Sequence, residues 1–287
     1  MTYIPDYLKY YPNKDSSYPL HISKNELQHG FRAHRHDFLE FSYVISGSGC
    51  EVINGIQHQM QPGTFTFVLP YQIHEIFTDP GQTLVLINCN FNMELLMEQN
   101  KEVSLFSLID REQPTSHIQL QHDDHRYMLQ LLENMLKEYN ENNRWKTALL
   151  QARLMEVLIT FDRIRQQHHD GSTNAIRQTE SKSSVWPIIY YIHQNYQEPL
   201  TLTELANRFS ISLSRISEII KETTGQSFVP FLHDVRIRHA CSLLASTDMS
   251  ITEIALEVGY GSFQTFSRVF RDTKGIVPKD YRRQKNN

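Results

Sequence analysis

"SITEIALEVGYGSFQTFSRVFRDTKGIVPKDYR", residues 250–282, decides how this chain is to be read. Within it, "GYGSFQTFSRVF" (259–270) places Phe263, Phe266, Val269 and Phe270 on one arc of a helical wheel turned by about 100° per residue. Gln264, Ser267, Arg268 and, one residue further on, Arg271 point the opposite way. A helix of a globular protein buries one stripe and leaves the other in water. Here the wet stripe consists of side chains that hydrogen-bond base edges and phosphates. Upstream, Ser250 and Glu253 have the spacing of a capping box, in which both side chains satisfy amides of the first turn. The stretch therefore predicts a short helix, a tight turn and a longer helix.

The same pattern occurs once more, earlier in the chain. Thr201-Leu202-Thr203-Glu204-Leu205-Ala206 matches Ser250-Ile251-Thr252-Glu253-Ile254-Ala255 at an offset of 49. Ile216-Ser217, Ile220-Lys221 and Gly225 match Phe266-Ser267, Phe270-Arg271 and Gly275 at an offset of 50, so one extra residue falls in the turn. Thr201 and Glu204 repeat the capping-box spacing. In this first copy Leu213, Ile216, Ile219 and Ile220 are expected to face inward, with Ser214, Ser217, Glu218 and Lys221 outward. Two helix-turn-helix units follow. The second helix of such a unit enters the major groove, where Arg pairs with guanine and Gln with adenine. Ser214, Ser217, Glu218, Gln264, Ser267 and Arg268 are the candidates for base contacts, and Arg215, Lys221, Arg271 and Lys274 for phosphates.

The Ile-Ala pair, Gly-Tyr, Phe-Ser-Arg-x-Phe, the Gly with Pro three residues on, and Tyr-Arg make residues 250–282 resemble the signature of the AraC/XylS family of bacterial transcription regulators. "TLTELANRFSISLSRISEIIKETTGQSFVPFLHDVRIRHACSLLAST" is similar to that family's first helix-turn-helix and connecting helix, the latter over about 228–246. The resemblance covers about 100 residues. It implies an all-α DNA-binding domain that reads two major-groove segments about one helical turn, roughly 34 Å, apart. One departure stands out: where the second recognition helix has Arg268, the first has Glu218, whose carboxylate repels phosphates and can only accept from cytosine.

The net charge of −4 over 287 residues argues against a non-specific nucleic-acid binder, but the charge is uneven. From Ser184 onward there are 12 Lys/Arg against 10 Asp/Glu, and before it 16 against 22. No run of about 18 apolar residues is present, so no membrane span is expected. The N-terminus lacks the basic-then-apolar pattern of a secretory signal. Cys50, Cys89 and Cys241 are odd in number and far apart, which reads as reduced thiols in a cytoplasmic protein.

Residues from about 20 to 92 alternate short β-rich runs, "FLEFSYVIS", "CEVI", "TFTFVLP" and "TLVLINCNF", with turn signals at Gly47–Gly49, Asn54-Gly55, Pro62-Gly63 and Pro80-Gly81. "INGIQ" is a two-residue hairpin signal. The spacing predicts an antiparallel β-barrel or sandwich. Two helical periodicities follow, at 125–139 and 145–167, and then a polar stretch, 168–184, that reads as a linker. The expected organisation is α+β and multidomain: an effector-binding domain (1–120), a helical pair that could form a homodimer interface (121–167), the linker, and the DNA-binding domain (185–287).

His34, His36 and Glu40 have even spacing and on a continuous strand would share one face, with His74 approaching from another strand. Imidazoles and a carboxylate suit Fe, Mn, Ni or Zn. The pattern His-x-His-x3-Glu-x6-Gly (34–47) with Pro-x3-His (70–74) resembles the cupin motifs, although the second lacks its closing Asn. In cupin enzymes these positions hold metal; in cupin domains attached to AraC-type DNA-binding domains they generally line a pocket for a small effector, often a sugar, without metal. Both uses stay open on the sequence. His34, His36, Glu40, Tyr43 and His74 are the candidate effector residues, and without Tyr43 the candidate metal ligands; no cofactor is required. His58, His122, His125, His168 and His169 lie in polar surroundings and are expected at the surface. The segment before residue 21, with Tyr3, Tyr7, Tyr10, Tyr11 and Tyr18, is by analogy with the family an arm that folds over the pocket when ligand binds, or else a frayed terminus. The expected activity is effector-modulated transcription regulation on double-stranded DNA, with RNA polymerase as a partner if the protein activates. The alternative is a metal-dependent cupin enzyme with an accessory DNA-binding domain, which leaves the duplicated helix-turn-helix unexplained.

Overall fold

The computed structural model describes residues 5–8, 10–97, 116–170 and 185–285. They form two compact units: residues up to 12 together with 20–170, and residues 13–19 together with 185–285. Most of the expected linker, 171–184, and Tyr3 lie outside the described residues.

The first unit is built on ten strands: β1 (Asp6–Leu8), β2 (Leu20–Leu27), β3 (Phe31–His36), β4 (Leu39–Ser46), β5 (Gly49–Ile53), β6 (Ile56–Met60), β7 (Thr64–Val68), β8 (His74–Thr78), β9 (Leu84–Phe91) and β10 (His117–Gln119). They pair as two five-stranded sheets, in the orders β1-β3-β8-β5-β6 and β10-β7-β4-β9-β2. Of the barrel or sandwich expected from the strand spacing, the unit forms two facing sheets rather than a closed barrel, antiparallel except for the β1–β3 pair. The first sheet and the second share an interior in which Met60 and Ile76 meet Val44, Leu84 and Leu86.

Burial on both faces explains why β4 reads as an almost unbroken apolar run. Glu40, Ser42 and Val44 point into the interior between the sheets, and Leu39, Phe41 and Tyr43 point the other way. That outer face packs on a short helix pair after α1 (Glu94–Met97): α2 (His122–Asn140) and α3 (Lys146–Asp170). Phe65 stacks on Phe161 of α3 at 4.7 Å. The expected hairpin is present: Asn54 and Gly55 have φ of 49° and 84°, the two positive angles of a type I′ turn. It sets Ile53 opposite Ile56 and Glu51 opposite His58.

The second unit is helical: α4 (Trp186–Gln194), α5 (Leu202–Phe209), α6 (Leu213–Thr224), α7 (Phe228–Ser246), α8 (Ile251–Glu257), α9 (Phe263–Lys274) and α10 (Pro278–Lys285). The repeat seen in the sequence is a repeat of hydrogen bonds. Ile211 N donates to Ala206 O at 3.0 Å, and Tyr260 N to Ala255 O at 2.9 Å. Ser210 and Gly259, at equivalent places, both have positive φ, 53° and 87°. Gly261 is therefore the extra residue of the second turn, after which Ser212 and Ser262 cap α6 and α9 alike. Both of these helices run for 12 residues and end on a left-handed glycine, Gly225 or Gly275. Gly259 has a further constraint, since a Cβ there would sit 2.5 Å from the carbonyl oxygen of Gln197.

α7 links the copies. Its Ile237, Ala240, Cys241 and Leu244 enter one core with Ile254, Ala255, Val258, Tyr260, Phe266 and Phe270. Arg236 of the same helix donates to the carbonyls of Tyr196 and Glu198 at 2.7 and 2.8 Å. Two details differ from the periodicity reading. Leu213 and Phe263 are 51% and 40% exposed rather than inward. A helical side chain leans over the turn that precedes it, and these are the first residues of their helices. The reciprocal capping box closes only at Ser250 and Glu253 among the described residues; Thr201 accepts from Glu204 N without the return bond.

Candidate functional site

The two units each present one candidate site. In the helical unit, α6 and α9 display Ser214, Arg215, Glu218 and Lys221, and Gln264, Arg268 and Arg271, as exposed residues, with Ser217 and Ser267 half-buried. The two faces differ in charge. On α6, Arg215 Nη1 lies 2.7 Å from Glu218 Oε2 and 3.8 Å from Glu222 Oε2, so this guanidinium is neutralised by its own helix. On α9, Arg268 and Arg271 stand without such an ion pair among the described residues. Lys274, expected on phosphate, is instead drawn to Asp15, with Nζ 2.8 Å from Oδ2 and only 22% of the side chain exposed. Phosphate could use it only after that pair opened.

The site of the β unit lies between the sheets. His34 and His36 come from β3, His74 from β8 and Glu40 from β4, and all four are buried. The even spacing in the sequence is thus not one face of one strand. The chain turns between β3 and β4 and changes sheet, so Glu40 meets the histidines from across the interior. His34 and His74 are direct cross-strand partners, with ring centroids 4.0 Å apart. His36 Nε2 lies 3.2 Å from His74 Nε2 and 3.4 Å from Glu40 Oε2. Asn88 donates to Glu40 Oε1 at 2.8 Å. Burial, with His74 alongside, lowers the pKa of His34 to about 4.

Two residues not selected from the sequence complete the centre. Glu51, on β5, accepts from His74 Nδ1 at 3.0 Å and sits 3.3 Å from His58 Nε2. Burial alone would raise its pKa, yet the hydrogen bonds from His58 and His74 hold it at about 2. His58, expected at the surface, is buried on β6 opposite Glu51 and stacks on His117 at 3.9 Å. The Asn54-Gly55 hairpin carried this signal, because counting outward from its turn sets 51 against 58. Tyr43, in contrast, is not part of the centre. It lies on the opposite face of β4 from Glu40, and its hydroxyl bonds to His125 of α2 at 2.6 Å. An odd offset from Glu40 puts it on that face. His125 is thereby half-buried too, and not a free surface group.

The AraC-like ligand binding domain matches residues 18–158, and the helix-turn-helix domain matches residues 205–284. The chain belongs to the AraC/XylS family of transcription regulators. It is 26% identical over 278 residues to the HTH-type transcriptional activator RhaS of Mannheimia succiniciproducens, covering 95% of this chain and 96% of that one. It is 22% identical over 268 residues to the HTH-type transcriptional activator RhaR of the same organism, covering 92% and 91%. ToxT from Vibrio cholerae, a solved structure, aligns over 92% of this chain and 97% of its own at 12% identity, with a TM-score of 0.43. This regulator therefore carries a ligand-binding domain and a helix-turn-helix DNA-binding domain. No helix among the described residues is long and apolar enough to cross a membrane.

Proposed function

We propose that this regulator activates transcription from promoters it recognises through α6 and α9, and that a small oxygen-rich metabolite, a sugar or a related compound, modulates it from the interior of the β unit. The observation that carries the DNA half is the matched pair of 12-residue helices, each capped by serine and displaying a polar stripe. Gln264 and Arg268 are the base readers, Lys221 and Arg271 the phosphate contacts, and α6 contributes less sequence readout because Glu218 and Arg215 satisfy each other. Activation is the role named for the two relatives, and it makes RNA polymerase a partner. The effector half is supported by the interior face of the second sheet. Ser42 Oγ and Asn90 Oδ1 are buried there without a hydrogen-bond partner among the described residues, next to Asn88 and Glu40. Buried polar atoms left unpaired are costly, and hydroxyl groups of a ligand would satisfy them. In this reading the centre signals and does not catalyse, and the protein acts as a cytoplasmic homodimer.

The test is to fragment genomic DNA of the source organism, recover the pieces the full-length protein retains at physiological salt, and sequence them. Enrichment of a few upstream regions sharing two half-sites about one helical turn apart is expected. Uniform retention of all sequences would sink the reading. With an operator in hand, His36→Ala is expected to blunt the response to whichever metabolite changes operator affinity, while leaving operator affinity without metabolite intact.

A further inference from the structure

Among the described residues of the helical unit, the large apolar side chains exposed to water are Leu213, Val229, Leu256 and Phe263. One exposed apolar residue carries no message, because much of any folded surface is apolar. The duplication of the helix-turn-helix separates the four. Leu256 of α8 corresponds, at the offset of 49, to Asn207 of α5, and Val229 of α7 corresponds, at the offset of 50, to Lys279 of α10. In both places the other copy is polar. Leu213 and Phe263 correspond to each other at the offset of 50, so both copies expose a large apolar side chain at the same place.

That place is the first residue of α6 and of α9. Ser212 accepts from Arg215 N and Ser262 from Thr265 N, so each cap is made without the side chain that follows it. Helix chemistry asks for neither Leu nor Phe there, since the first turn favours proline and acidic groups. A helical side chain leans toward the N-terminus of its helix, which carries Leu213 and Phe263 to the N-terminal tips of α6 and α9. Four residues on, in the same row, lie Ser217 and Ser267, and four further on lie Lys221 and Arg271. Each row thus runs from an apolar tip through a hydroxyl to an exposed cation.

In a helix-turn-helix unit the N-terminal residues of the second helix contact base edges. An apolar side chain has one group to distinguish there, the C5-methyl of thymine, which no other base of DNA presents in the major groove. We propose that Leu213 and Phe263 each pack against the C5-methyl of one thymine, so that the regulator reads two T·A pairs, one in each half-site, by apolar contact. The inference rests on the reading that α6 and α9 enter the major groove. It gives α6 a base preference of its own although Glu218 and Arg215 satisfy each other at 2.7 Å. It also explains why two large apolar side chains stay in water in the free protein: their burial comes with the DNA.

The experiment uses the full-length protein and the operator duplex from the genomic selection, synthesised with each thymine in turn replaced by deoxyuridine. Deoxyuridine pairs as thymine does and lacks only the methyl group. The wild type is expected to bind about fourfold more weakly at one such position in each half-site, the worth of one buried methyl. In Phe263→Ala the loss at one of the two positions should vanish and the other persist, and in Leu213→Ala the reverse. Phe263→Leu, which keeps an apolar tip, should retain the discrimination. Each comparison sets one variant against itself on two duplexes that differ by a methyl, so a change in folding stability cancels. Indifference of the wild type to every replacement would overturn the proposal, and so would full discrimination in both Ala variants. Uniform retention in the selection, or wild-type operator affinity in Arg268→Ala, would sink the major-groove reading and this proposal with it. Weakened binding by Arg268→Ala, with deoxyuridine making no difference to the wild type, would remove the methyl contacts alone.

Discussion

The two units of this chain place their reactive chemistry on opposite sides of their cores. In the helical unit, apolar residues such as Phe266, Phe270 and Ile237 fill the interior, and the polar stripes of α6 and α9 stand in water. In the β unit, part of the interior itself is polar, with His34, His36, Glu40, Glu51, His58 and His74 packed between two sheets. The first arrangement gains stability from its core and leaves the surface free to vary. The second gives up some apolar burial, since buried charges stabilise only when paired, and obtains in exchange a centre shielded from water. The function of one unit can therefore be changed without touching its fold, while the function of the other cannot.

The largest expected effect tests that separation in the helical unit. Phe266→Ala removes a fully buried ring and should cost about 3–5 kcal/mol. Urea denaturation followed by helix signal should show one transition shifted down and strand signal unchanged; a joint loss of both would mean that the units do not fold separately. Gly259→Val is next: it forces a β-branched residue to a φ of 87° and a Cβ against Gln197 O. A loss of about 1–3 kcal/mol in the same assay is expected, and no loss would show that the second turn can relax.

Smaller effects distinguish the two recognition helices. Arg268→Ala should weaken operator binding by about 1–3 kcal/mol and relax preference at one base. Glu218→Ala should cost less, because it exchanges a base acceptor for an Arg215 held only by the longer 3.8 Å pair with Glu222. Equal losses from the two, in competition binding with randomised half-sites, would refute the unequal division of readout. The smallest effect belongs to Lys221→Ala, expected to weaken all sequences alike and lower the slope of log K against log salt by about 1. A base-selective loss would move Lys221 from phosphate to base edge.

Much of this is legible in the sequence. Periodicity locates α2, α3, α6 and α9, and a repeat of 49–50 residues pairs the two helix-turn-helix units. The misreadings have a common cause. Leu213 and Phe263 fit the apolar arc in angle but lie too early in their helices to reach a partner. Lys274 looked free because Asp15, its partner, is distant in sequence. Tyr43 is only three residues from Glu40, yet strand alternation puts it on the other face of β4, against His125. His58 was set aside as polar surroundings although the hairpin aims it at Glu51.

The sequence by itself determined what is local: caps, turns, the 3.6- and 2-residue periods, and hence the family architecture and the exposed polar stripes of α6 and α9. Those features depend on residues within a turn or two of one another. Only the tertiary structure decided which polar groups meet. Glu40 and the histidines lie on different sheets, and Glu51 reaches His74 across a strand pairing that joins residues 23 positions apart. Whether a buried histidine is a ligand, an anchor or a bystander depends on which nitrogen is already bonded, and that follows from how the sheets pack.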